Sequence, residues 1–411
     1  MSGIEYVRLD QITSKIGSGA TPRGGKESYK GDGISLIRSM NVYDFVFSYD
    51  DLARIDDNQA AQLRNVEVKQ RDILLNITGA SVCRCCMVPK DVLPARVNQH
   101  VSIIRLKPNE ADARFVLYTI NSGAFKDALF NISTTGATRE ALTKDDICRF
   151  KIPLPKLPAQ RKIAAILSAY DELIENNRRR IALLEKLAEE IYHEWFARLR
   201  FPGHELTRFV KGLPTDWEIK RVKEVVIRKG FGRIYREAEL FDEGRVVVID
   251  QSRADCLGFY DGEPQHVASP DSPIILFGDH TCKMVFMTKP FSLAENVVPF
   301  KPKPEVSPYF LFHLVKGLAS TTEYKRHWTD LTNREVLIPR NDLQTRFENS
   351  VRQSHEQIEL LRQATRRTQR IRNLLLPRLI SGKLPVENID IQFPPGMAEE
   401  LNAAPAAPPH A

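Results

Sequence analysis

The 411-residue chain has no run of about 18 apolar residues, so no membrane-spanning helix is expected. It lacks a basic start followed by an apolar stretch, so no export leader is expected. Cysteine is scarce: six residues at no regular spacing give no disulfide framework, and a cytoplasmic home is expected. Charge of one sign is not concentrated. A net +7 within 27% charged residues permits a polyanion partner without requiring one. The length suits two or three domains, and 42% hydrophobic residues can build their cores.

Catalytic signatures are missing too. "GATPRGGKES" has the look of a phosphate loop, but counting back from Lys26 puts Ala20 where the first glycine belongs. Glu27 replaces the required Ser/Thr. "KIGSGA" echoes the glycine turn of a methyl-donor site without the strand and helix around it. No Asn/Asp-Pro-Pro-aromatic motif occurs, and "FPPG" lacks both flanks. Asp216, Glu218 and Lys220 of "TDWEIK" are crowded into one stretch, the wrong spacing for two metal-facing carboxylates. Cys83, Cys85 and Cys86 have no second Cys/His pair at zinc spacing and read as buried or incidental thiols. The chain is therefore expected to be no enzyme by itself, with no metal and no cofactor of its own.

What is present is periodicity. Ile163, Leu167, Tyr170, Ile174, Asn177, Ile181, Leu184, Ala188, Ile191 and Trp195 alternate steps of four and three, the seam of a coiled coil. Pro158 suits a first turn, and Pro202-Gly203 ends the run. Asn177 has two readings: a polar residue tolerated near solvent, or a register-setting position in the seam. A second seam runs through Phe347, Val351, Ser354, Ile358, Leu361, Thr365, Thr368, Leu375 and Leu379. It drifts at Ile371-Arg372, and its small polar positions call for a partner, for which the first helix lying antiparallel is the candidate. The charges off the seam, such as Glu172, Glu175 and Arg178 to Arg180, read as a solvated face.

The repetition extends beyond the helices. "DILLNITGAS" is answered by "PIILFGDHT", "VNQHVSIIRLKP" by "LAENVVPFKPKP", "RFVLYTI" by "PYFLFHLV", and "ALTKDDICRFKIPLP" by "DLTNREVLIPR". The shared order predicts an internal duplication. Runs such as "GRVVVID", "SPIILFG" and "VSIIRL" predict strands. The fold class is α+β: two similar strand-rich domains, 1–157 and 201–340, joined by two long antiparallel coiled-coil helices, 158–200 and 341–384, with a pseudo-two-fold repeat. The Ala/Pro-rich end, 385–411, is expected to be disordered. Paired antiparallel, the helices would carry two heads in opposed orientation at their ends. Dimeric DNA readers place their modules about 34–36 Å apart, one B-DNA turn. One chain could thus read two unlike sequences across a fixed gap.

This order of segments resembles the specificity subunit of type I restriction–modification systems. "IGSGATPRGGKESYKGDGISLIRSMNV" resembles the opening of the family's first recognition domain, and "DILLNITGA" and "VNQHVSIIRLKP" its internal strands. "IPLPKLPAQRKIAAILSAYDELIE" resembles its helix-opening signature. "GLPTDWEIKRVKEV" resembles the start of a second recognition domain, and "NLLLPRLISGKL" its close. The likeness covers about residues 4–385. It implies a subunit without a catalytic centre whose two target-recognition domains read the halves of a bipartite, gapped double-stranded DNA site. It also implies two adenine-methylating subunits docked on the helices, S-adenosylmethionine bound in those partners, and translocating nuclease subunits recruited by them.

Candidate DNA contacts lie on Gly-rich loops, which suit approach to phosphates. They are Arg23, Lys26, Tyr29 and Lys30 in "TPRGGKESYKGDG", Arg139 in "TTGATRE", and Arg228, Lys229, Arg233, Tyr235 and Arg236 in "IRKGFGRIYRE". The alternative reading is a coiled-coil scaffold that binds proteins, its positive charge incidental. Steep salt dependence of duplex binding separates the two. A stand-alone DNA-modifying enzyme is the third class, disfavoured by the missing motifs.

Overall fold

The structure, a computed structural model, describes residues 5–22, 29–134, 140–252, 254–320 and 326–394. It divides into two units. The first holds Met1–Asn176 with Thr365–Ala411, and the second Asn177–Ala364.

The strands of the first unit are β1 (Tyr6–Arg8), β2 (Thr13–Ser18), β3 (Ile34–Ile37), β4 (Ala53–Ile55), β5 (Glu67–Val68), β6 (Ile73–Asn76), β7 (Cys85–Met87), β8 (Ala95–Val97), β9 (Val101–Leu106) and β10 (Lys151–Pro153). They form a ribbon β1-β10 and two sheets, in the orders β2-β9-β6-β7 and β4-β3-β8-β5. The second unit has β11 (Phe209–Val210), β12 (Leu213–Pro214), β13 (Glu218–Arg221), β14 (Val226–Arg228), β15 (Val246–Ile249), β16 (Gly258–Tyr260), β17 (Ile274–Gly278), β18 (Met284–Met287), β19 (Phe291–Leu293), β20 (Val297–Pro302) and β21 (Glu335–Ile338). Besides the hairpin β11-β12 they form a ribbon β13-β21 and sheets β14-β20-β17-β18 and β16-β15-β19. Even the parallel pair recurs, β3 with β8 and β15 with β19. The duplication suggested by the weak sequence matches is thus a duplication of topology.

The strands β6 and β17 are buried on both faces, which explains their unbroken apolar runs. Alternation sends Ile73 and Leu75 into one core and Leu74 into another. In the second unit Ile275 and Phe277 face one core, Ile274 and Leu276 the other. The cysteine cluster lies in this layer: Cys83 and Cys85 join one core, Cys86 the other. Burial pushes the Cys83 and Cys86 thiols up to about 12, which suits inert packing rather than metal ligation.

The first long helix spans Leu157–Tyr192 and the second Asn341–Ile380. Both open on the same device. Gln160, 1% exposed, donates Nε2 to the Pro155 carbonyl at 2.8 Å and accepts the Asp112 N–H at 2.9 Å. Gln344, also 1% exposed, bridges the Pro339 carbonyl and the Ser307 N–H, each at 2.8 Å. Asp112 and Ser307 are themselves N-caps of the helices Ala113–Asn121 and Pro308–Val315. One side chain in each unit thus ties helix, ribbon and buried helix together.

The helices pair antiparallel within each unit. In the first, Ile163 and Leu167 share a core with Leu375, Leu376, Leu379 and Ile380, and Asp171 meets Arg372 at 2.5 Å. In the second, Ala188, Ile191 and Trp195 share a core with Leu343, Phe347 and Val351, and Glu185 meets Arg362 at 2.7 Å. Ile174, Ser354, Ile358, Thr365 and Thr368 are buried, while Tyr170, Ile181, Leu184 and Leu361 are partly buried. Asn177 is buried at 4%, which sets aside its reading as a residue tolerated near solvent.

Two sequence expectations change. The seam residues near the helix ends serve the domain cores as well as the helix pair, so the helices are built into the domains rather than only joining them. The α-helix also stops at Tyr192, and a π-helical turn, His193–Ala197, follows. The wider turn brings the neighbours Trp195 and Phe196 against Phe347, at ring distances of 6.0 and 5.2 Å, which seam spacing alone cannot do. The tail differs as well. Residues 385–394 fold back: Val386 is buried in the first core, and Lys162 Nζ donates to the Glu387 and Ile389 carbonyls at 2.8 and 2.7 Å. The remainder of that expected disordered segment, 395–411, lies outside the described residues.

Removing either glutamine strands a buried N–H and a buried carbonyl, a loss of about 1–3 kcal/mol. Gln160→Ala is expected to accelerate hydrogen exchange in the first unit and Gln344→Ala in the second. Equal effects of either variant on both units would contradict these local roles. A second prediction concerns His313 and His355, whose Nε2 atoms lie 3.1 Å apart among Tyr192, Phe286, Tyr309, Phe312 and Phe347. Burial, helped by Lys316 and Arg362, pushes His355 down to about 4. Burial, His355, Lys316 and His193 lower His313. The unfolded chain therefore binds more protons between the ordinary histidine range and pH 4, and stability falls as pH drops through that window. The loss from His355 is about 3 kcal/mol. Chemical denaturation from pH 7 to 4 should show it, with a flatter profile for His355→Gln; equal slopes would refute the burial argument.

Candidate nucleic-acid interface

In the first unit the strand ends β2, β3 and β6 and the start of β9 come together. Gly19, just past β2, donates its N–H to the Asn98 carbonyl at 3.1 Å. A Cβ on Gly19 would stand 1.7 Å from the Val97 oxygen, so close backbone approach accounts for this glycine of "KIGSGA". Asn98 donates its N–H to the Ile37 carbonyl at 3.0 Å, and its Oδ1 accepts the His100 N–H at 3.0 Å. The turn before β9 is thereby fixed.

Polar side chains line this end. Thr21 Oγ1 donates to Gln99 Oε1. Gln99 Nε2 lies 3.1 Å from His100 Nε2, and His100 Nδ1 lies 2.6 Å from Thr78 Oγ1. Thr78 forms a β-bridge with Ala141, and Gly79 N–H donates to the Glu140 carbonyl at 3.0 Å. These contacts thus join Thr21 to Glu140 and Ala141. Arg23, Lys26 and Arg139, the basic candidates on those loops, lie outside the described residues. Tyr29 is half-buried under the Arg38 guanidinium, 5.4 Å from its ring centre. Lys30 lies 3.9 Å from Asp56 and is half-exposed. Arg84 covers the exposed Tyr43 ring at 4.8 Å.

The second unit repeats the frame with different side chains. Asp279 N–H donates to the Asn296 carbonyl as Ile77 N–H does to His100, and Ala294 N–H donates to Ile249 as Asn98 does to Ile37. Gln99 and His100 therefore correspond to Glu295 and Asn296. The loop after β14 corresponds to the loop after β2. β14 ends on Arg228, stacked on Phe231 at 4.9 Å, and the loop carries the exposed Lys229. Arg233 is tied to Glu239 at 2.5 Å and covers Tyr235 at 4.7 Å. Arg236 is exposed. Tyr235 is a correction: its ring is 7% exposed, stacked on Tyr260 at 4.3 Å, and belongs to a core rather than to the loop's outer face. The "TDWEIK" charges are spent on ion pairs, Asp216 with Arg340 at 2.9 Å and Glu218 with Lys220 at 2.6 Å.

Thr21, Thr78, Gln99 and His100 carried no sequence assignment, although "NITGA" and "VNQH" mark their places in the repeat. What they offer is a fixed row of hydrogen-bond donors and acceptors, a surface for recognising polar edges. Among the described residues no group of three or more His, Cys, Asp or Glu could hold a metal ion.

Comparison with known proteins agrees with this architecture. Residues 1–186 match the family model of the type I restriction modification DNA specificity domain. The type I restriction enzyme MjaIX specificity subunit of Methanocaldococcus jannaschii is 24% identical over 91% of this chain and 92% of its own length. The MjaVIII specificity subunit of the same organism is 22% identical over 80% and 82%. Among solved structures, the type I restriction-modification system S subunit from M. genitalium shares the fold. Its TM-score is 0.55 at 16% identity, over 95% of this chain and 98% of that one. The fold and the matched segment define a DNA specificity domain of the type I restriction–modification class. Over most of its length the chain is similar to the specificity subunits of those systems.

Truncating the Tyr235 ring tests its reassignment. Tyr235→Ala should cost the second unit about 3 kcal/mol in a denaturant titration, while Tyr235→Phe stays near wild type. A neutral alanine variant would return the ring to the surface.

Proposed function

We propose that this chain reads a bipartite, gapped DNA site, one half by each strand-rich domain. It performs no chemistry itself, and its helices set the gap and dock two methyltransferase subunits. The observation that carries the reading is the repeated frame with unlike polar ends: one topology twice, presenting Gln99-His100 in one copy and Glu295-Asn296 in the other. Arg228, Lys229 and Arg236, together with the loops bearing Arg23, Lys26 and Arg139, would supply phosphate contacts and hence affinity that falls steeply with salt.

The helices also show leucines with no core to fill. Leu173, Leu183 and Leu187 on the first helix and Leu360 and Leu374 on the second are 47–67% exposed. Such a pattern suits partner helices. S-adenosylmethionine would be bound by the partner, where adenine methylation takes place, and a nuclease subunit could join through it. Among the described residues no helix is long and apolar enough to cross a membrane.

A genome-wide methyladenine map with and without the gene tests the reading. Loss of methylation at one asymmetric, gapped motif is expected; an unchanged map in a host that makes all subunits would overturn it. The gap has its own test. Inserting seven residues after Asn176 and seven after Ala364 lengthens both helices by about 10 Å, about three base-pair steps. The methylated motif should keep both halves and widen its gap by about that number. An unchanged gap would refute the helices as spacers.

A further inference from the structure

We propose that Gln99 reads one adenine in the half-site bound by the first domain; this rests on the function proposed above. A primary amide has two donors and two acceptor lone pairs. Thr21 and His100 occupy one position on each side of the Gln99 amide. Were the amide turned over, its nitrogen would face Thr21 and its oxygen His100, and each side would still lose one position. What remains is one N–H and one lone pair on an exposed side chain. Adenine presents the complement in the major groove, the N7 acceptor beside the N6 amino donor. Guanine presents two acceptors there, which would face the amide oxygen with no donor.

The surroundings hold this amide in place. His100 Nδ1 is engaged by Thr78 at 2.6 Å, so with Nδ1–H donating, Nε2 accepts from Gln99. Asn98 Oδ1 closes the turn on the His100 N–H at 3.0 Å. A side chain clamped at both polar atoms reads a base without first losing rotamer freedom. At the matching position the second domain has the exposed Glu295, acceptor-only when ionised. The frame thus presents amide chemistry in one half and carboxylate chemistry in the other.

The test is selection from a duplex pool with randomised sequence, using the full chain assembled with its methyltransferase subunits. Wild type, Gln99→Ala and Gln99→Glu are compared, with thermal melting of each. In Gln99→Ala, discrimination is expected to fall about 5–150-fold at a single adenine position, with every other position retained. In Gln99→Glu, the preference there should move toward cytosine, whose amino group a carboxylate accepts. If the wild type selects a motif and Gln99→Ala selects it with undiminished discrimination, the proposal fails alone. Uniform weakening at all positions with a lowered melting temperature makes Gln99 a structural residue and also overturns it. A wild type that selects no motif overturns the DNA-reading function beneath it.

Discussion

The start of a helix leaves peptide N–H groups without partners, and a buried helix start must find them elsewhere. In this chain the solution is a glutamine. Gln160 and Gln344 each reach from a long helix to the carbonyl that precedes it and to the N–H of a second, buried helix cap. A shorter side chain would not span both groups, and a charged one would be costly at 1% exposure. Each strand-rich domain is therefore locked to its helix by a polar contact inside the core, where the low dielectric makes an unmade bond expensive. The ribbons β1-β10 and β13-β21 end beside these contacts, so the geometry of each unit is referred to its own helix.

Much of this frame was legible in the sequence. The long helices are visible because seam spacing persists for about nine turns, longer than chance or an ordinary core helix sustains. The duplication was visible in the order of weak matches. What the sequence concealed depended on who stands beside whom. Tyr235 and Tyr29 look alike, each an aromatic on a glycine-rich basic loop, yet Tyr235 stacks on Tyr260 inside a core while Tyr29 is half-buried under Arg38. Ala/Pro richness predicts disorder for the tail, but it begins in earnest only after Phe393. Val386 and Ile391, diluted among polar residues, pack against the first core.

The polar row at Thr21, Thr78, Gln99 and His100 was hidden for another reason. No spacing rule joins residues 21, 78 and 100; only the order β2-β9-β6 does. Sheet order fixes where strand ends lie, while the side chains just past those ends contribute little to either core. Such positions can differ between two copies of one frame without disturbing it, as Gln99 and Glu295 do on backbones with matching hydrogen bonds. Stability resides in the alternation of Ile73, Leu74 and Leu75 between two cores, and recognition in the residues immediately beyond. That separation lets a duplicated domain present two different chemistries, which an asymmetric target demands of a single chain.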